Sequence, residues 1–92
     1  MVSQQFAKKM GYESAESLYQ ASTLIVQEGL DVGWYVTVTP DGRCIGWDDA
    51  NPADPAYEEY ASFIEAVKAL RDAANLAEGA TIMVSETEPF RT

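Results

Sequence analysis

Five carboxylates, Asp48, Asp49, Asp54, Glu58 and Glu59, fall within twelve positions, the densest group of chemically active side chains in the chain. Such a group can hold a hard cation, work as general acid and base, or present negative charge to a basic partner. The spacing argues against the first. An EF-hand loop needs oxygen ligands at positions 1, 3, 5 and 12 and a glycine at 6. Counted from Asp48, positions 3 and 5 are Ala50 and Pro52; counted from Asp49, positions 6 and 12 are Asp54 and Tyr60. Neither frame fits, and no metal site is assigned. Acid–base work is disfavoured by composition. The chain has no histidine, the side chain most used for proton transfer near neutral pH and a usual ligand of zinc, copper and haem. A chain of 92 residues also has little room for a deep, enclosed cleft. The expectation is a protein that is not an enzyme, with no catalytic residues and no cofactor. Docking to a basic surface is what remains.

Local structure accounts for part of this group. Asp54 precedes Pro55, the arrangement of a helix N-cap followed by proline at the first helical position. Glu58 and Glu59 would then sit near the positive end of that helix. Asp48 and Asp49 lie outside it and keep no such explanation. Elsewhere, Cys44 adjoins Arg43, which could lower a thiol pKa, but alternation puts it on a core face as a small hydrophobe. One cysteine excludes an internal disulfide and a cysteine metal cluster. Tyr35, Ile45 and Trp47 alternate onto a second face and form a candidate apolar anchor. Phosphate loops, nucleophile elbows, dinucleotide fingerprints and basic-aromatic surfaces for nucleic acid are missing.

Charge is the strongest global feature. Eleven of the fifteen acidic residues lie between Met10 and Val67, where Arg43 is the one base, and the whole chain carries −9. That field repels nucleic acid and anionic membranes and attracts basic surfaces. Hydrophobic content of 47% is too high for disorder, so the acidity rides on a folded surface. The N-terminus lacks an apolar core of signal-peptide length, and no stretch approaches the roughly 18 apolar residues of a membrane span. The expected setting is the cytoplasm, of a host cell if the chain is phage-encoded.

These side chains need elements to position them. A single domain is expected over residues 1–92, beginning with short helices within 3–28: one stopped by Gly11, the next capped by Ser14 and running to Glu28 before Gly29. A hairpin follows over 32–48. Its strands are rich in aromatic and β-branched residues, and Pro40-Asp41-Gly42 forms a three-residue loop. That loop pairs Val38 with Cys44, Thr37 with Ile45, Val36 with Gly46 and Tyr35 with Trp47. Trp34, Val36, Val38, Cys44 and Gly46 then share the better core face. The main helix is expected over 55–75, with Tyr60, Phe63, Ile64, Val67, Leu70 and Ala74 as its apolar stripe. A C-terminal strand over 80–86 and a frayed tail over 87–92 complete the chain. The predicted fold class is α+β: a small antiparallel or mixed sheet of about three strands, in the order ααββαβ, with helices packed on one face. The last strand could pair parallel to a hairpin strand.

The function this supports is a non-catalytic acidic protein-binding module. It would inhibit a partner by occupying its basic, nucleic-acid-binding surface, as small inhibitors of the phage anti-CRISPR and anti-restriction kind do. Asp48, Asp49, Glu58 and Glu59 would make the contacts, with Tyr35, Ile45 and Trp47 as the anchor. No direct binding of nucleic acid or membrane is expected. The alternative is a structural or assembly protein that forms a homodimer through the Tyr35/Ile45/Trp47 face.

Overall fold

In the computed structural model, which describes residues 1–83, serines open the helices. Ser3 caps α1 (Gln4–Lys9), its hydroxyl accepting from the Phe6 amide at 3.2 Å. Ser14 caps α2 (Ala15–Gln20) in a reciprocal box with Ser17: each backbone amide donates to the other's hydroxyl, at 3.1 and 3.2 Å. Gly11 turns the chain between these helices at φ +96°, a left-handed value that favours glycine. Four strands then follow in succession, β1 (Ser22–Glu28), β2 (Val32–Val38), β3 (Cys44–Asp48) and β4 (Tyr57–Tyr60). After them come α3 (Phe63–Ala74) and β5 (Ala80–Ile82).

The sheet therefore has five strands, not three, in the order β4-β3-β2-β1-β5, and every pairing is antiparallel. The α+β class holds. Two expected helical stretches are strands. The first is Ser22–Glu28, where a bulge between Leu24 and Val26 interrupts the ladder with β2. The bulge lets Ile25 and Val26, adjacent in sequence, both bury in one cluster. Strict alternation is lost there, which is why the run reads as helix as easily as strand. The second is Tyr57–Tyr60. Asp54-Pro55 does not start a helix; α3 starts eight residues later, capped by Ser62, whose hydroxyl accepts from the Glu65 amide at 3.1 Å. β5 pairs antiparallel with β1 rather than parallel to a hairpin strand. The final part of the expected 80–86 strand, and the 87–92 tail, lie outside the described residues.

The β2–β3 hairpin has the register read from its turn, Val38↔Cys44 through Tyr35↔Trp47, with Trp34↔Asp48 added. The Thr39 amide donates to the Arg43 carbonyl at 2.8 Å, and Gly42, at φ +88°, donates to the Thr39 carbonyl at 2.9 Å.

Helices cover both faces of the sheet, not one. α1 and α2 pack Val2, Phe6, Ala7, Met10 and Leu18 onto Ile45 and Trp47. α3 packs Ala66, Val67 and Ala74 onto Ile25, Val26 and Val36 on the opposite side. Burial of a large side chain in either layer is worth roughly 1.5–3 kcal/mol, so each helical layer is held by its own core. The α1/α2 layer also satisfies its buried polar groups. The Trp47 indole N–H donates to the Thr37 hydroxyl at 2.8 Å, and that oxygen lies 2.5 Å from Ser22 Oγ. No helix among the described residues is long and apolar enough to cross a membrane.

Candidate functional site

Strand alternation decides where the acidic residues go. β4 is an edge strand, and among the described residues nothing pairs with its outer side. Glu58 lies opposite Gly46, on the α3 face, whereas Glu59 lies opposite Ile45, on the α1/α2 face. Asp48, two residues beyond Gly46 on β3, shares the α3 face with Glu58. The sheet thus divides the two glutamates instead of gathering all four carboxylates into one patch.

Asp49 turns inward. Its Oδ1 accepts from the Gly33 amide at 2.8 Å and its Oδ2 accepts from the Tyr19 hydroxyl at 2.8 Å. Its own amide donates to the Gly33 carbonyl at 3.2 Å. This carboxylate ties the start of β2 and the end of β3 to α2, which is a structural role. Burial, followed by the hydrogen bond to Asp49, pushes the Tyr19 phenol well above its ordinary pKa. Asp54 is exposed and sits in a loop, where its amide donates to the Asn51 carbonyl at 3.0 Å.

The expected apolar anchor is core. Ile45 and Trp47 are each 1% exposed beneath α1 and α2. Tyr35 is half-buried and stacks on Trp47, with ring centroids 4.6 Å apart and 22° between planes. Tyr19 and Phe6 pack on Trp47 as well, with centroids at 5.4 Å in both cases. The face proposed for a homodimer is therefore occupied by the chain's own N-terminal helices. Cys44 is half-buried on the α3 face, opposite Val38 and Tyr60.

What the structure does assemble is an open groove of about 330 Å³ between α3 and the β3–β4 edge. Trp34, Tyr60 and Leu70 supply its apolar lining, and Asp48 and Glu58 supply its carboxylates. Gly46 keeps its floor low: a Cβ there would stand 2.9 Å from Tyr60 Cε2 and 3.5 Å from Leu70 Cδ2. Tyr60 donates its hydroxyl to Glu58 Oε2 at 2.9 Å. Burial first, then that bond and the charge on Glu58, pushes its phenol up to about 12. The Trp34 indole N–H donates to Glu28 Oε1 at 3.2 Å, so a third carboxylate adjoins the aromatic lining. Among the described residues, Asp48, Glu58 and Glu28 have no ion-pair partner; the ion pair present joins Arg43 to Asp41, at 3.0 Å. No group of three or more histidine, cysteine, aspartate or glutamate side chains among the described residues is placed to hold a metal.

Among the groove residues, Trp34 keeps its expected face of the hairpin, packed against the cluster under α3, whereas Tyr60 lies on a strand and not on the expected helical stripe. For Tyr60 a signal existed: Ser62 followed three residues later by Glu65 is a helix-start spacing, and it leaves Tyr60 outside α3. No family model, curated protein or solved structure matches the chain.

Proposed function

We propose that this chain is a non-catalytic acidic module that binds a basic protein surface in the cytoplasm, one that otherwise holds nucleic acid, and inhibits its owner by occupying it. The observation that carries the reading is the open β4 edge, where Glu58 on one face and Glu59 on the other project charge without a cationic partner among the described residues. Asp48 extends that charge along β3. The anti-restriction and anti-CRISPR proteins include small acidic inhibitors that substitute carboxylates for phosphates in this way, a class-level analogy. Charge of this sort chiefly speeds encounter, so the rate of association depends steeply on ionic strength.

The test is capture of cell proteins on the immobilised chain, followed by kinetics with the recovered partner. A nucleic-acid-binding protein is expected, displaced by added duplex DNA, with association slowed about tenfold between about 50 and about 200 mM salt. The D48N/E58Q/E59Q triple variant should slow association comparably. Asp49 is left unchanged because its two hydrogen bonds hold the fold. A partner indifferent to salt, to DNA and to the triple variant would overturn the reading.

A further inference from the structure

Charge alone makes the edge attractive to any cation, but the groove beside it is more selective. Asp48 and Glu58 stand on neighbouring strands in a diagonal relation, which leaves their Cβ atoms somewhat less than roughly 7–8 Å apart. Side chains at that separation can converge on one group placed between them. Gly46, directly across from Glu58, carries no side chain, and this lets the Tyr60 ring and Leu70 close over the strand and form the groove's floor. Trp34 lies directly across from Asp48 on β2, and Tyr60 two residues along from Glu58 on β4. The groove's remaining wall includes Leu70 of α3 and Ala73 of its last turn, and helix C-termini carry partial negative charge. Lys68 and Arg71, the bases of α3, are not among its lining residues. At about 330 Å³ the groove is at the small end of ligand sites, which run from roughly 300 to 1,000 Å³. Its capacity suits one long side chain rather than a helix or a folded loop.

We infer that this groove receives a single arginine side chain from the basic partner. The inference rests on the protein-binding reading above and names what that reading leaves open. An arginine matches each component of the lining. Its methylene stem suits Leu70 and Ala73, and its planar guanidinium stacks on aromatic rings while donating to carboxylates on its edge. Lysine offers a compact, strongly hydrated charge that gains less from the two rings. The structural alternative is that Asp48 and Glu58 merely keep the sheet edge from pairing. That account needs neither the groove beside α3 nor the two aromatic side chains that line it.

The experiment titrates the ¹⁵N-labelled chain with three capped tripeptides, glycine flanking arginine, lysine or citrulline, the last being arginine's neutral isostere. The expected result is saturable shifts of the Trp34 indole N–H and the Gly46 amide with the arginine peptide, at millimolar affinity. Binding should be about fivefold weaker for lysine and about tenfold weaker for citrulline. The D48N/E58Q variant, which keeps side-chain shape, should weaken the arginine peptide about tenfold, while Glu59→Gln on the opposite face should leave it unchanged. Preserved Tyr35 and Trp47 resonances show that the variants are folded. Non-saturating shifts, equal binding of citrulline, or equal sensitivity to Glu59→Gln would overturn the assignment. So would equal binding of lysine, because it would reduce the groove to a charge without shape. The two proposals fail separately. A salt-sensitive partner combined with an unresponsive groove removes the arginine site and leaves the acidic module standing. Peptide binding combined with a salt-indifferent partner does the reverse.

Discussion

Asp49 shows how one carboxylate can look like part of a charge cluster and belong to the framework. Its partners, Gly33 and Tyr19, are 16 and 30 residues away in sequence, so nothing local distinguishes it from Asp48. Asp49→Ala would leave a backbone donor and a phenol without their acceptor; we expect a loss of about 2–4 kcal/mol, read from urea unfolding. Glu59→Gln, on the exposed edge, should stay within about 0.5 kcal/mol. Tyrosine titration gives a second measurement. Burial is the first cause of the raised pKa at Tyr19, Tyr35 and Tyr60, and the charge of Asp49 or Glu58 adds to it. Because these phenols ionise later in the folded chain than in the unfolded one, they add stability that is complete below about pH 10, the ordinary value. That stability is lost as pH rises through the folded values, about 12 for Tyr60. Denaturant midpoints should therefore hold steady up to about pH 9 and fall above about pH 10, with a smaller fall in Tyr60→Phe. A midpoint flat to pH 11 would contradict the burial of these rings beside Asp49 and Glu58.

Among the elements, the β2–β3 hairpin, the stop of α1 and the cap of α2 were legible because their causes are local: a Pro-Asp-Gly turn, a glycine after the first helix and a serine before the second. The two missed strands have causes that are not local. β1 loses its alternation at a bulge whose benefit is burial of Ile25 and Val26 under α3. β4 contains two glutamates, poor strand formers, and is held extended by its ladder with β3. The same reasoning limits what was readable of the site. The apolar-acidic groove arises from β4 and α3 meeting over Gly46, and treating residues 55–75 as one helix removes it. Those two glutamates also protect an open edge, since charge there discourages another strand from pairing. Replacing both, as E58V/E59T, should make the chain self-associate in sedimentation velocity at concentrations where the parent does not. An unchanged sedimentation coefficient would mean that some other feature guards the edge.

At the scale of the whole molecule, the acidity proved readable in amount but not in layout. A count of carboxylates along the chain suggests one continuous belt. The fold sends Asp49 inward, fixes Asp41 in a turn with Arg43, and parts Glu58 from Glu59 across the sheet. The sheet also separates two hydrophobic layers, and each happens to contain one tryptophan: Trp47 under α1 and α2, Trp34 beside α3. The indoles differ in surroundings, one 1% exposed and bonded to a hydroxyl, the other half-buried and bonded to a carboxylate. Each layer thus has a built-in optical probe. With either indole replaced by phenylalanine, the emission of the other follows the loosening of a single layer, and only an all-or-none molecule would make the two melting curves superimpose.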